Sequence, residues 1–446
     1  MNIRIKHLAL ASAVLCTGLI STHGVGAEEQ RSAATVEQRA VTGFNAIELA
    51  GPFRVIVTEG APRLELSGDP KQLAEIETEV RNNTLVVRQR PRTGINISWG
   101  KRDRPETVVR IAASGLKSLV NSGSGDVELD AVGGERFVLA STGPGDVRAR
   151  GGVKVFDVTS SGSGDVDLRQ VKANDVALTM SGPGDVRLGS VGNDLSARIS
   201  GSGDLDALEL RLARAVARIS GPGNATLRGK ARELRIELTG SGDLDACDLQ
   251  AEQVSSLQRG PGNACVAGSI REFNAEVHGS GDLEARGLQA GRAVLRMTGP
   301  GNARLSGSAD ELRADMNGSG ELDADDLRVK SAMLDNRGPG DITLSRVTDT
   351  LDASLQGSGD MRATLEGKRV MLKMRGPGNV ELVGRAERIS AELTGSGSLQ
   401  ARRLNVRQTD ISVRGPGSAA VNQVREGGDR REELVLVERG GRRQTN

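Results

Sequence analysis

The stretch ISGSGDLDA at residues 199–207 is followed further along the chain by ISGPGNATL at residues 219–227. Both contain the turn sequence Gly-Ser-Gly or Gly-Pro-Gly, followed by Asp or Asn. Sixteen copies of this turn recur along the chain at a nearly constant spacing, and most of them have Asp or Asn at the fourth position. The period of about 20 residues is typical of solenoid proteins. The copies begin at Gly123, Gly143, Gly162, Gly182, Gly201, Gly221, Gly240, Gly260, Gly279, Gly299, Gly318, Gly338, Gly357, Gly376, Gly395 and Gly415.

The repeated tetrapeptide predicts a tight turn. Its pattern matches a type II β-turn, because Pro presets φ at the second position and Gly adopts the positive φ of the third at little cost. The fourth residue, such as Asp126 or Asp146, is expected to accept hydrogen bonds from backbone N–H groups where the next strand begins. Asn224, Asn263 and Asn302 interrupt a column of carboxylates that would otherwise repel one another.

Around each turn, apolar and polar side chains alternate. Leu234, Ile236 and Leu238 precede one turn, and Val186 and Leu188 follow another. A period of two on both sides of a turn predicts two short strands in every copy. Polar or Gly-containing links between copies predict the second corner of each repeat.

A two-stranded unit with one apolar face cannot bury that face alone, so the copies are expected to stack into a β-solenoid. Leu205 and Ala207 in one copy become Ala225 and Leu227 in the next, which would fill a narrow interior without voids. Sixteen rungs at roughly 4.8 Å would give a rod about 75 Å long. The spacing leaves open whether a rung is one copy of about 20 residues or a pair of about 39 residues.

The N-terminus has the layout of a secretory signal peptide over residues 1–27. Arg4 and Lys6 precede an apolar run over residues 8–20, and cleavage is expected after Ala27. The run is shorter than the roughly 20 residues that a spanning helix needs, and no later segment is more apolar. We therefore expect an exported protein without a transmembrane anchor, located in the periplasm, on the cell surface or outside the cell.

The remainder of the chain divides into three regions. Residues 28–120 alternate without the regular turn and are expected to form a β-rich cap. Residues 69–80 within this cap have the start signals of a short helix, with Asp69 as N-cap and Pro70 as the first helical residue. The solenoid is predicted over residues 121–424, and the charged, Gly-rich residues 425–446 are predicted to be a disordered tail that could shield the open end of the stack.

Composition argues against several functions. The 59 Lys and Arg residues balance 58 Asp and Glu residues, so no net charge favours nucleic acid. His278 is the one histidine beyond the signal peptide, and no Ser-His-Asp or Cys-His group can be assembled around it. The common types of catalytic site with a Ser or Cys nucleophile are therefore not expected. We therefore assign no catalytic, cofactor-binding or metal-binding residues, although calcium dependence stays open. Cys247 and Cys265 are expected to be free thiols, because regular strands would hold their Cα atoms roughly 8 Å apart.

The stretch FNAIELAGPFRVIVTEG at residues 44–60, the LVV sequence ending at Val87 and the repeated GSGD turns resemble the head GIN domain family. These proteins are regarded as auto-transporter adhesins of bacterial envelopes. The resemblance implies an all-β, right-handed parallel β-helix without recognised catalytic residues. The chain departs from the family in its many repeats and its strict Ser/Pro alternation.

These observations favour an exported, non-enzymatic β-solenoid that acts as an adhesin or envelope interaction protein. Its partner would be a glycan or a protein of the envelope or of another surface, and its oligomeric state is left open. Two alternatives remain at this stage. One is a β-helix enzyme, a lyase or hydrolase that acts on polysaccharide, which rests on likeness of fold alone. The other is a purely structural spacer.

Overall fold

The computed structural model describes residues 34–90, 105–424, 431–439 and 442–443, so the predicted signal peptide lies outside the described residues. Among the described residues, no helix is long and apolar enough to cross a membrane. The one helix of the described residues, α1, spans Pro70–Leu73. The strands are β1 Thr35–Arg39, β2 Ala46–Ala50, β3 Arg54–Glu59, β4 Arg63–Gly68, β5 Ile76–Arg81, β6 Thr84–Gln89, β7 Val108–Ala113, β8 Ser118–Asn121, β9 Val127–Val132, β10 Arg136–Ser141, β11 Val147–Ser160, β12 Val166–Met180, β13 Val186–Ile199, β14 Leu205–Ile219, β15 Ala225–Leu238, β16 Leu244–Gln258, β17 Ala264–Val277, β18 Leu283–Met297, β19 Ala303–Met316, β20 Leu322–Asn336, β21 Ile342–Leu355, β22 Met361–Arg375, β23 Asn379–Thr394, β24 Ser398–Arg414, β25 Ser418–Val424, β26 Arg431–Arg439 and β27 Arg442–Arg443.

The chain is a parallel β-solenoid, as the repeat predicts. Each strand from β11 to β24 runs through both walls of one coil and pairs in parallel with the coils before and after it. Val186 lies opposite Leu205, and Ile199 lies opposite Ile219, so equivalent residues are one sequence copy apart. A rung is therefore a single copy of the repeat and not a pair. The Ser-turns and Pro-turns stack in one column.

The interior is a narrow aliphatic core. Leu205 lies opposite Ala225, and Ala225 lies opposite Leu244, so large and small side chains alternate over these middle coils. Each of these three residues is 1% exposed. This alternation agrees with the packing reason for the Leu/Ala swap in the middle coils. It does not extend along the whole rod, since Leu322 lies opposite Ile342.

The N-terminal region closes the stack. β2 and β3 pair in parallel with β8 and β9, so the coils begin well before Gly123. β1 and β4 then add antiparallel edges, and β5 pairs antiparallel with β6. The predicted helical start is confirmed for α1: Asp69 Oδ1 accepts from Lys71 N at 2.8 Å. Because parallel pairing continues across residue 120, the division between cap and solenoid stays a prediction.

The prediction of a disordered tail is wrong for part of residues 425–446. β26 pairs antiparallel with β25, from Val424 opposite Arg431 to Ser418 opposite Val437. Without β26, the outer edge of β25 would have unpaired N–H and C=O groups. The segment that contains the apolar sequence LVLV at residues 434–437 pairs with these groups. The tail therefore covers one wall of the open end of the stack.

Candidate interaction surface

The turn glycines are required by close stacking of the coils. A Cβ atom added at Gly145 would lie 2.8 Å from the carbonyl carbon of Gly125 in the preceding coil, and nearer still to its oxygen. The prediction of a type II turn is wrong, since the third-position glycines, Gly125 and Gly145 among them, do not have φ in the left-handed range. Backbone packs on backbone at these turns, so the absence of a side chain matters more than positive φ.

The fourth turn residues form a hydrogen-bonded ladder along the rod. Asp126 Oδ1 accepts from Asp146 N at 3.2 Å, and Asp146 Oδ1 accepts from Asp165 N at 2.9 Å. Asn224 donates from both N and Nδ2 to Asp204 Oδ1, at 2.8 and 3.0 Å. These side chains accept from the next coil, not from their own turn as expected. Asn adds a donor that a carboxylate lacks, which explains its place between Asp residues.

A second ladder of hydroxyl groups borders the turns. The residue directly before the first turn glycine is Ser or Thr in seven successive coils, and all seven are exposed. We call this set the hydroxyl ladder; at about 4.8 Å per coil it extends about 29 Å. Its members are Ser122, Thr142, Ser161, Ser181, Ser200, Ser220 and Thr239.

The hydroxyl ladder has free hydrogen-bonding capacity. Ser122 Oγ donates to Leu49 O at 2.9 Å, and Ser200 Oγ donates to Met180 O at 3.2 Å, which leaves the oxygen lone pairs as acceptors. The hydroxyls of Ser161 and Ser181 make no hydrogen bond to any of the described residues. The ladder therefore presents both acceptors and donors to a partner.

Uncharged side chains flank the first four members of the ladder. On the turn side lie Ser and Pro, and on the strand side lie Val, Ala and Thr. Asp157, at the border, is paired with Arg136 Nε at 2.7 Å. Depletion of charge is what distinguishes the centre of a protein interface from the remaining surface. The flanking residues are Val120, Ser124, Ala140, Pro144, Thr159, Ser163, Thr179 and Pro183.

Elsewhere, the outward surface carries many charge pairs. Arg304 Nε donates to Asp323 Oδ2 at 2.8 Å across adjacent coils, and Arg286 Nη2 lies 2.8 Å from Glu284 Oε2 within one coil. These hydrogen bonds are the main reason that the pKa of Asp323 and of Glu284 lies below the ordinary value of each carboxyl. Opposite charges on neighbouring strands stabilise a sheet modestly.

Replacing Arg304 with Gln should destabilise the protein at neutral pH and have a smaller effect in acid. The folded-state pKa of Asp323 is depressed, so its contribution is present above the unfolded value and is lost as pH falls through the folded value. Thermal unfolding of Arg304→Gln and wild-type protein at pH 7 and at pH 3 measures this difference. Arg211→Gln, which removes an exposed arginine without a described ion pair, is the control. An equal loss at both pH values would contradict the assignment.

Cys247 and Cys265 form a disulfide, so the prediction of free thiols is wrong. Their Cα atoms are 5.3 Å apart. The longer separation expected from the sequence assumed regular strands, but the register slips after Ala246, where Asp245 Oδ1 accepts from Cys247 N at 3.1 Å and bends the chain. Asp245 and both sulfur atoms lie within 4.8 Å of one another. A metal at this cluster would need thiolates, which the disulfide removes.

His278 lies on the outer surface in the same column as the hydroxyl ladder. Its Nδ1 is 2.7 Å from Thr298 Oγ1, and its Nε2 is 3.1 Å from Glu276 Oε2. Both ring nitrogens therefore contact other side chains of the surface. No site residue is predicted from the sequence, and the hydroxyl ladder is not among the features predicted there. Its signal was available, as Ser or Thr directly before seven consecutive turns.

The fold and this surface define a long, capped β-solenoid with regular polar faces. A sequence model of one protein family, "Putative auto-transporter adhesin, head GIN domain", matches residues 43–228, 207–270, 268–364 and 347–426. These matches cover most of the chain, and the chain belongs to this family. No curated protein matches it.

Solved structures of similar proteins carry related descriptions. The chain is similar to a putative adhesin from Bacteroides fragilis, with 19% identity, a TM-score of 0.37, and coverage of 57% of this chain and 97% of that chain. It is similar to a putative adhesin from Parabacteroides distasonis, with 19% identity, a TM-score of 0.33, and coverage of 66% and 98%. A third, from Parabacteroides merdae, has 15% identity, a TM-score of 0.27, and coverage of 67% and 95%.

Proposed function

We propose that this protein is an exported, non-enzymatic adhesin that binds a neutral polysaccharide of the envelope or of another cell surface through the hydroxyl ladder. The observation that carries the proposal is the charge-free strip around Ser122, Thr142, Ser161 and Ser181 on a surface that carries many ion pairs elsewhere. Membership of a family described as adhesins supports a role in binding rather than catalysis.

The chemistry of the ladder suits a neutral glycan. Sugar hydroxyls both donate and accept hydrogen bonds, as do the hydroxyls of Ser161 and Ser181. The ladder is held by the stacked coils, so its groups are already in place before a ligand arrives, and little entropy is lost on binding. A charged polymer would find no opposite charges along this strip. An uncharged polymer could bind there without breaking ion pairs.

The dimensions favour an extended chain over a protein partner. The charge-free strip spans four coils, so it is about 14 Å long and roughly 12 Å wide, or on the order of 170 Å². A stable protein interface buries about 800 Å² on each partner. A polysaccharide lying along the rod axis would cover the strip and meet a hydroxyl group at every coil.

A double substitution in the ladder tests the proposal. Ser161→Arg with Ser181→Arg places two long cations in the middle of the strip and should weaken binding to neutral glycans about tenfold or more. Binding of the mature protein is measured on a panel of neutral polysaccharides and envelope fractions, with and without calcium. Each polysaccharide is also analysed for products of cleavage.

The control is Gln356→Arg, in the same outward column beyond the ladder. It should bind like the wild-type protein. Saturable binding without product, lost only in the double variant, supports the proposal. Absence of binding, equal binding by both variants, or formation of cleavage products would each overturn it.

A further inference from the structure

We infer that the second corner of the last three complete coils is a binding site for an acidic polysaccharide. This site goes beyond the proposed function, because it lies on coils near the C-terminal end and uses charge instead of hydroxyl groups. We call it the basic groove. Its cationic residues are Lys368, Arg369, Arg385, Arg388 and Arg407, all exposed.

The groove follows from the local sequence of these corners. No side chain fills the space at Gly367, which lines one of these corners. Two adjoining depressions of about 670 and 420 Å³ result, and both contact Lys368, Arg407 and Val424. Val424 lies three coils beyond Lys368, so the groove runs along the rod axis for about 14 Å. An open, elongated depression of this kind fits a polymer chain.

The cations in the groove are poorly neutralised. Lys368 Nζ lies 3.1 Å from Asp349, and Arg388 Nη2 donates at 2.6 Å to Gln408, which is neutral. The guanidinium groups of Arg369, Arg385 and Arg407 form no ion pair with any of the described residues. Glu366 and Glu387 also line the groove, and neither forms an ion pair with the described residues.

The register places like charges side by side. Arg369 lies directly opposite Arg388 on the adjacent strand. The neighbours of this pair in the same column are Thr350 and Gln408, neither of them acidic. Like charges directly opposite on neighbouring strands are destabilising. A bound anion would relieve this repulsion.

Earlier in the same column, the arginines are balanced. Arg214 lies 3.2 Å from Asp194, and Arg292 lies 3.5 Å from Glu311, each across adjacent coils. Within this column, the departure from charge pairing therefore occurs at the end of the rod. The chain as a whole is close to neutral, so the groove is a local feature and not the result of a basic composition.

The chemistry of the groove indicates carboxylates on a carbohydrate chain. A guanidinium group binds a carboxylate or a phosphate through two parallel hydrogen bonds. The polar lining and axial direction suit a hydrated polymer with regularly spaced acids. The described residues of the groove include no large exposed apolar side chain that could enter a membrane, whereas lipid surfaces are bound by cations together with apolar groups. We therefore commit to an acidic polysaccharide.

Polygalacturonate is the probe that tests this inference. The wild-type protein should bind it saturably, with an affinity that falls as salt is raised. Arg369→Gln with Arg388→Gln should weaken binding about tenfold or more, because two charge-assisted contacts are lost. Arg211→Gln with Arg232→Gln removes two exposed corner arginines from the middle of the rod and should leave the affinity unchanged. Neither double variant should unfold at a lower temperature than the wild-type protein, because each removes repelling charges.

Further arms separate the outcomes. Polyphosphate and vesicles of phosphatidylglycerol are tested in parallel, and preference for either over polygalacturonate would overturn the inference. Equal loss in both double variants would also overturn it, because binding would then follow net charge. Binding of neutral glycans should persist in Arg369→Gln with Arg388→Gln. Binding of polygalacturonate should persist in Ser161→Arg with Ser181→Arg, so that failure of one site is distinguished from failure of the other.

Discussion

Replacing Gly281 with Ala should destabilise the middle of the rod by about 3 kcal/mol or more. The new Cβ would lie 2.7 Å from the carbonyl carbon of Gly262 and 2.9 Å from the oxygen of Pro261, both backbone atoms of the preceding coil. Backbone cannot move aside as the end of a side chain can, so the coils must separate locally. Thermal unfolding and hydrogen exchange of the coils around residues 260–300 measure the effect.

Gly291→Ala is the matched control, one corner away in the same coil. A Cβ atom there would meet nothing within 4 Å, and the backbone of Gly291 is not in the left-handed range. We expect a change within about 0.5 kcal/mol, or slight stabilisation through the unfolded state. If Gly281→Ala unfolded at the same temperature as Gly291→Ala, the close-stacking explanation of the turn glycines would be wrong.

Removing the disulfide should also have a large effect. Cys247→Ser with Cys265→Ser opens a loop that joins residues 18 apart and links two adjacent coils. Loss of a crosslink over a loop of this length costs about 3 kcal/mol in the chain-entropy account. The unfolding temperature of the double variant should fall, and the unreduced wild-type protein should weigh two hydrogens less than the reduced one.

A reductant provides the control for this prediction. It should lower the unfolding temperature of the wild-type protein to that of the Ser variant and leave the variant unchanged. Two titratable thiols in the untreated mature protein would contradict the disulfide. Because a solenoid can unfold in parts, the comparison should use hydrogen exchange near β16 and β17 as well as the overall transition.

The architecture was predictable because every copy carries the same local signals. Alternating apolar residues and a turn in every copy of the repeat admit few other folds, and the exchange of Leu205 for Ala225 even specified which side chains meet. The helical start at Asp69 was predictable for the same reason, since capping depends on neighbours in sequence.

The errors arose where contacts between coils override local preference. Gly145 looked like a residue chosen for positive φ, but the backbone of Gly125 in the adjacent coil is what excludes a side chain. Regular strands predicted too long a distance between the Cα atoms of Cys247 and Cys265, but the bend at Asp245 brings them within 5.3 Å. The tail looked disordered by composition, but β26 found partners on the exposed edge of β25.

The sequence by itself determined a stacked, all-β repeat with an aliphatic interior, because periodicity is a local property that survives without coordinates. Tertiary structure decided what the surface can do. The hydroxyl ladder and the basic groove are made of residues one sequence copy apart that become neighbours only when one copy forms one coil. Had each rung been a pair of copies, the same residues would lie on different columns, and neither surface would exist.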